Sequence, residues 1–387
     1  MNICTDVANI DELKIALKND ILNENVYFRG QAKNWPLLPS VWRESEKITM
    51  IQRYLQKIEI QTETLIQDKI NTVLNQYRQY PNTITDNQCV ENSIRLLEAK
   101  RDFIKKWVLK INLENQLLVD FYTRANASGL NVEQNILNVF NEQYPSYFAT
   151  LRREAINYFW LSFSRPEFPS GLFLDKDKVN LGLQMLLENS FFVIDDLGGE
   201  GLIAFDKTLP QHYDLPTRVL DWTNNINKAI CHAIYSWLSW LELKQEGKEK
   251  NIYIYALNVK KHVNTLDDRG RCLHSPIKLY KYLPRDKNAF LHQQDGILTE
   301  INWFGDFYFM MHGKWPSYET MQTVLGEIAQ EYFELKSFAL PINLKLAEEY
   351  LNYLSRYSVT YSSMMPAYSS IARELALESQ FLMQEPH

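Results

Sequence analysis

The chain has 387 residues, of which 45% are hydrophobic and 23% are charged, a balance that excludes a mostly disordered protein. Its formal net charge of −6 at pH 7 argues against broad, nonspecific binding to nucleic acid, although a local basic cleft is compatible with it. The four cysteines form no Cys-x-x-Cys pair, so the sequence indicates neither a zinc knuckle nor a disulfide scaffold.

The N-terminal segment has no recognisable targeting signal. Residues 1–20 are polar and acidic, without the apolar core and cleavage site of a signal peptide. No apolar run in the sequence approaches the roughly 20 residues that span a bilayer. Together with the scattered cysteines, these features predict a cytoplasmic protein that does not bind a membrane.

The first predicted elements are a short helix and a strand. Residues 10–19 bring apolar side chains to one side at helical spacing, and residues 26–31, VYFRGQ, have the composition of a strand. From about residue 44 the pattern changes to long amphipathic helices, interrupted at Pro81 and at residues 126–129, NASG. The pattern of this block predicts a helical bundle that has no polar site of its own.

The second half of the chain predicts mixed structure. Residues 227–243 are strongly apolar and indicate a core helix, whereas residues 251–259, NIYIYALNV, alternate as a strand does. Segments beyond residue 321 return to the spacing of helices.

We therefore predict an α+β fold with a mixed core domain built from two sequence-distant pieces. Residues 1–43 form the first piece, and residues 195–387, which end in closing helices, form the second. Residues 44–194 are predicted to be a large, mostly helical insertion. The polar motifs of the sequence occur in the two outer pieces, which is why we join them in one core.

Residues 211–223, QHYDLPTRVLDWT, interleave charged side chains with apolar ones. Because buried charges need partners, Arg218 and Asp221 in this setting predict a polar site that is held rigidly. On a helical turn these two residues would be neighbours and could form an ion pair, and Thr217 would cap the helix that follows.

This segment resembles the hallmark motif of the FRG-domain family, which is close to Gln-His-Tyr-Gly-Leu-Pro-Thr-Arg-Leu-Leu-Asp-Trp-Thr. Asp214 stands where the family usually has glycine. The Phe-Arg-Gly tripeptide that names the family occurs in residues 27–43, YFRGQAKNWPLLPSVWR, with Arg29 at its centre. A third, more loosely spaced match ends at Gln294 and Gly296.

The tripeptide is also similar to the strand-Arg-Gly start of arginine-type ADP-ribosyltransferases. This resemblance implies NAD as a cofactor, with Arg29 holding its diphosphate and Gly30 letting the ligand approach the backbone. The alternative is that Arg29 pairs with Asp221 and locks the core without any ligand. The sequence leaves both interpretations open.

Two residues are candidates for catalysis, Glu300 and His212. ADP-ribosyl transfer needs a carboxylate near the ribose, and Glu300 follows a Gln-Asp-Gly turn on an alternating run, although Leu298 replaces the Glu or Gln that transferases carry two residues earlier. His212 could act as a base, since histidine titrates near neutrality. Alternatively, Glu300 is a solvated strand residue, and His212 orders the turn before Pro216.

The candidates for ligand binding are expected to meet in one electropositive cleft rimmed by aromatic residues. They are Arg29, Gly30, Gln31, Tyr213, Thr217, Arg218, Asp221 and Gln294. The sequence contains no P-loop, no dinucleotide-binding glycine motif and no His-Glu-x-x-His motif. Its seven histidines lack metal-ligand spacing, so no metal is expected.

Three functions agree with these residues. The leading hypothesis is an effector in bacterial or phage conflict, such as a toxin or a phage-defence protein, that binds a nucleotide-type ligand and transfers ADP-ribose from NAD to a protein or nucleic-acid target. The alternative is a non-catalytic module that recognises a phosphorylated ligand or single-stranded nucleic acid by arginine and aromatic contacts. In a third interpretation, the helical insertion binds a partner and the core is an interaction scaffold.

Overall fold

The computed structural model describes residues 4–43, 67, 117–118, 120–130, 215–242, 250–260, 265–266, 272–273, 275–280, 292–301, 303–365 and 367–382. These residues form a mixed seven-stranded sheet with helices on both of its faces, together with a separate two-stranded sheet. The predicted α+β class is confirmed.

In chain order the strands are β1 (Thr5–Asp6), β2 (Val26–Gln31), β3 (Val219–Thr223), β4 (Asn251–Val259), β5 (Thr265–Leu266), β6 (Cys272–Leu273), β7 (Ile277–Tyr280), β8 (Gly296–Ile301) and β9 (Phe333–Pro341). The large sheet has the strand order β1-β9-β4-β2-β3-β8-β7. Among these strands β1 and β9 pair in parallel, and all other neighbours are antiparallel. Strand β2, from the N-terminal piece, lies at the centre between β4 and β3, so the core is built from two sequence-distant pieces.

Helices lie at the predicted residues 10–19 and 227–243 and beyond residue 321, whereas the helix at Trp303–His312 was not predicted. The helices are α1 (Ile10–Ala16), α2 (Lys18–Ile21), α3 (Ile226–Glu242), α4 (Trp303–His312), α5 (Tyr318–Leu325), α6 (Glu327–Tyr332), α7 (Leu344–Ser355), α8 (Tyr361–Met364) and α9 (Tyr368–Leu382), with a short 3-10 helix at Ser40–Trp42. Side chains of Asn9, Ser317 and Asn343 cap α1, α5 and α7 by accepting hydrogen bonds from backbone N–H groups of the first turn. Gly326, with φ of 55°, separates α5 from α6, a break that was not predicted.

One face of the sheet packs against α1, α3, α7 and α9. Phe28 of β2 and Ile254 of β4 lie in this core with Ile230 and Ile234 of α3. Because side chains alternate along a strand, Tyr27, Arg29 and Gln31 lie on the opposite face.

Helices α5 and α6 pack on that opposite face. Tyr318 and Met321, three residues apart on α5, are fully buried. The Tyr318 and Thr299 hydroxyl groups lie 2.6 Å apart, and Trp222 Nε1 donates to the same Thr299 oxygen at 2.8 Å. The sheet therefore lies between two layers of helices.

The segment after residue 217 is a strand, which corrects the helical interpretation. Val219, Leu220 and Trp222 are buried in β3, and apolar residues with neighbours on both sides favour a strand over a short helix. Arg218 and Asp221 are therefore not helical neighbours, and no described helix begins at Thr217.

The predicted insertion, residues 44–194, lies mostly outside the described residues. Within it, residues 120–127 are helical, and the chain leaves this helix at the predicted NASG segment. The domain boundaries stay predictions. None of the helices in the described part of the chain is both long enough and apolar enough to cross a membrane.

Candidate ligand-binding site

The centre of the sheet contains a split between β2 and β3. Phe28 pairs with Thr223, and no further backbone pair joins the described residues of these two strands. By contrast, β2 pairs with β4 along all of Val26–Gln31, and β3 pairs with β8 along all of Val219–Thr223. We call the gap between residues 29–31 and residues 219–222 the split.

The guanidinium group of Arg29 bridges the split. Its Nη1 donates to the backbone oxygen of Asp221 at 2.6 Å and lies 3.9 Å from Asp221 Oδ2. The Arg29 side chain is 16% exposed, and its Nε has no hydrogen-bond partner among the described residues. The internal Arg29–Asp221 pair that the sequence suggested is thus present, and one buried guanidinium donor is left without a hydrogen bond.

Burial governs the protonation of the groups around Arg29. Burial lowers the pKa of the Arg29 guanidinium, and the Asp221 carboxylate opposes this shift. Burial also raises the pKa values of Tyr255 and Tyr318, so both hydroxyl groups stay neutral beside the guanidinium. Arg29 remains charged because arginine is protonated throughout the physiological range.

Two further basic residues border the split, and neither was predicted as a site residue. Burial and the charge of Arg29 lower the pKa of Arg43, whose Nε donates to the Leu38 backbone oxygen at 2.9 Å. His232 of α3 has its Nδ1 3.3 Å from the Gly30 oxygen. The imidazole is reachable by solvent, yet the surrounding protein and the charge of Arg29 lower its pKa.

The two sequence motifs meet beside this split. Ser40 Oγ donates to the Thr217 backbone oxygen at 3.2 Å and accepts from the Thr217 N–H at 3.0 Å. The Arg218 guanidinium lies 6.0 Å from the centre of the Trp42 ring. The fold thus brings Arg29, Thr217, Arg218 and Asp221 into one region, although they are far apart in the sequence.

Two tryptophans of residues 27–43 pack against other tryptophan rings. Trp42 stacks on Trp315 with ring centres 4.4 Å apart. Trp35 is 43% exposed and lies against Trp240, whose ring carries Lys33 Nζ at 3.3 Å. An exposed indole beside a lysine is a surface on which an aromatic base can stack.

Glu300 is buried at the end of β8, so its interpretation as a solvated strand residue is wrong. Its side chain is 7% exposed, with Oε1 3.3 Å from Arg218 Nη1 and Oε2 accepting from the Tyr280 hydroxyl at 2.6 Å. Glu300 lies opposite Val219 and Lys278 in the sheet. The ion pair therefore fixes Arg218 and Glu300 relative to each other.

Gly30, Gln31 and Gln294 have different surroundings. A Cβ atom on Gly30 would lie 1.9 Å from the Ala229 backbone oxygen, so the missing side chain makes room for α3 rather than for the ligand that we expected there. Gln31 is buried on the same face of β2 as Arg29. Gln294 has other partners: its Nε2 donates to Met365 Sδ, and its backbone oxygen accepts from the Thr223 hydroxyl group.

The remaining candidates, His212 and Tyr213, lie outside the described residues. Within the described ranges, no group of three or more histidine, cysteine, aspartate or glutamate side chains could hold a metal ion. No protein-family model, curated protein or solved structure matches the chain. The resemblance of its motifs to the FRG-domain family therefore stays a prediction, and the site is interpreted from its own chemistry.

Proposed function

We propose that the protein binds an anionic, nucleotide-type ligand at the split and that Arg29 holds the phosphates of this ligand. The observation that carries the proposal is the Arg29 guanidinium itself. One of its nitrogens is tied to the Asp221 backbone, whereas Nε has no partner among the described residues. Buried donors are almost always satisfied, so an unused donor on a buried cation is expected where a ligand completes the site.

The charges around the split support an anionic ligand. Among the described residues, the guanidinium groups of Arg29 and Arg43 both lie near one carboxylate, that of Asp221. A cleft with such an excess of positive charge attracts anions. A planar guanidinium fits the oxygen atoms of a diphosphate with two parallel hydrogen bonds.

The reaction that we propose for this ligand is transfer of ADP-ribose from NAD. The bond between ribose C1′ and the nicotinamide nitrogen breaks, and nicotinamide leaves with the bonding electrons. A nucleophile of the acceptor forms a bond to C1′ and releases its proton. Glu300 is the proposed carboxylate that stabilises positive charge on the ribose, and Arg218 and Tyr280 would hold it in place.

The second candidate function is recognition without chemistry, and the surroundings of Glu300 favour it. Both carboxylate oxygens already have partners, Arg218 and Tyr280, and little of the side chain is exposed to a substrate. In this case the split would read a phosphorylated ligand or single-stranded nucleic acid through its arginines and the exposed Trp35 ring.

Thermal unfolding with NAD and with ADP-ribose tests the binding proposal. A ligand at about 100 times its Kd adds about 2.7 kcal/mol of stability, and we expect this gain to vanish in Arg29→Lys, which keeps the charge but loses the fork. Arg356→Lys, at the exposed end of α7, is the matched control and should keep the full gain. The absence of any gain with millimolar ligand would contradict the proposal.

Nicotinamide release separates the two functions. We expect the wild type to release nicotinamide from NAD and Glu300→Gln to release none while still binding ADP-ribose. Binding without release in the wild type would favour the recognition module.

A further inference from the structure

Gln31 is a buried polar residue whose side chain has no evident structural role. It is 6% exposed at the end of β2, and its Oε1 has no hydrogen-bond partner among the described residues. Its main chain already pairs with Tyr253 of β4, so the amide is not needed to hold the strand. Because a buried acceptor without a partner destabilises the fold, its presence needs an explanation.

Gln322 shows what a structural glutamine does in the same protein. Its Nε2 donates to the Leu335 backbone oxygen at 3.2 Å, and its Oε1 accepts from the Leu335 N–H at 2.6 Å. The amide thus fastens α5 to β9 through both of its polar atoms. No comparable contact is made by Gln31 within the described part of the chain.

Gln31 and Arg29 lie on the same face of β2, two residues apart. The spacing along a strand separates their Cα atoms by roughly 6.6 Å. Each has an unused polar atom, a donor on Arg29 and an acceptor on Gln31. The strand therefore offers one ligand a cation for its phosphates and an acceptor for an N–H group a short distance away.

We infer that Gln31 determines specificity by accepting a hydrogen bond from a neutral N–H group of the bound ligand. This inference rests on the proposed function and narrows it: the ligand carries an amide or an exocyclic amine in addition to its phosphates. Two parts of a dinucleotide offer this chemistry, the carboxamide of nicotinamide and the amine of adenine.

Three dinucleotides distinguish these sources in calorimetric titrations. They are NAD, its analogue with a carboxylate in place of the carboxamide, and its analogue with hypoxanthine in place of adenine. We expect one analogue, the one that lacks the N–H group read by Gln31, to bind the wild type about tenfold more weakly than NAD. In Gln31→Leu this difference should fall below about twofold, because the acceptor is gone, while inorganic pyrophosphate binds both proteins equally.

Stability measurements provide the control. Gln31→Leu should unfold at the wild-type temperature or above it, because leucine removes an acceptor without a partner. Gln322→Leu should unfold at a lower temperature and keep the wild-type preference for NAD. A loss of stability in Gln31→Leu as large as that in Gln322→Leu would show a structural role and overturn the inference.

The titrations also separate this inference from the proposed function. If NAD binds and depends on Arg29, but Gln31→Leu discriminates among the dinucleotides as the wild type does, the inference is wrong and only water meets the amide. If pyrophosphate and all three dinucleotides fail to bind the wild type, the proposed function is wrong, and the role of Gln31 is overturned with it.

Discussion

Two arginine–carboxylate pairs at the site differ in how strongly the protein depends on them. Arg218 and Glu300 are both deeply buried, with side chains 14% and 7% exposed and a separation of 3.3 Å. Arg29 meets the Asp221 carboxylate at 3.9 Å, and that carboxylate is 34% exposed. Solvent screens the Arg29–Asp221 pair, so Arg29, unlike Arg218, can bind a ligand without breaking a buried ion pair.

Replacing each arginine by methionine tests this difference. Arg218→Met removes the cation from a buried carboxylate, which should lower the free energy of unfolding by about 3–5 kcal/mol. Arg29→Met loses mainly its bond to the Asp221 carbonyl and should cost about 1–2 kcal/mol. Urea unfolding measures both values. An equal, large loss in the two variants would mean that Arg29 is a structural residue.

The imidazole of His232 predicts a pH dependence. Desolvation by the surrounding protein and the charge of Arg29 lower its pKa in the folded protein. The unfolded chain, with an ordinary pKa of about 6.5, therefore binds the proton more readily, so this contribution to stability is complete above about pH 6.5 and declines as the pH falls toward the folded pKa. A phosphate beside Arg29 favours the charged imidazole. The affinity for the ligand should therefore rise as the pH falls through the same range.

Denaturant unfolding and ligand titrations at about pH 5.5 and about pH 7.5 measure these two opposite trends. His232→Asn, whose amide can still reach the Gly30 oxygen, should flatten both of them. Unchanged slopes in this variant would assign the pH dependence to another group.

Individual elements were predicted unequally well from the sequence. The strand composition of β2, the alternation of β4 and the apolar run of α3 were sufficient to predict these elements. Strand β3 was misinterpreted, since five residues are too few to separate a strand from a helical turn. Strand β9 was not predicted, because the charged residues Glu334 and Lys336 interrupt its apolar sequence. Its pairing with β4 and β1 explains why this segment is a strand.

Gly30 marks the point where α3 meets β2. A side chain there would collide with the Ala229 backbone, which cannot move without displacing the helix. We expect Gly30→Ala to lower the free energy of unfolding by about 3 kcal/mol. Gly326→Ala is the control: it has positive φ but no atom within 4 Å, and should cost about 1–2 kcal/mol. A Gly30→Ala protein that is stable but no longer binds ligand would instead support the role expected from the sequence, in which Gly30 lets the ligand approach the backbone.

At the scale of the whole molecule, the site forms because β3, from the second half of the chain, lies beside β2, from the N-terminal piece. The sequence identified Arg218 and Asp221 because charged residues stood out in apolar surroundings, and Arg29 because it is part of the Phe-Arg-Gly tripeptide. It gave no sign of His232, which belongs to an ordinary apolar helix and reaches the split only through the packing of α3 on β2. Long-range contacts of this kind have no local signal.

The most direct test of the central claim observes the Arg29 side chain during binding. In arginine-labelled protein, the Nε–H resonance of Arg29 is identified by its absence in Arg29→Lys. Because this group lacks a partner among the described residues, we expect its resonance to shift on titration with ADP-ribose and to saturate with the calorimetric binding curve, while that of Arg356 stays in place. An Arg29 resonance that does not move while the ligand saturates the protein would contradict the assignment of the phosphates to the split.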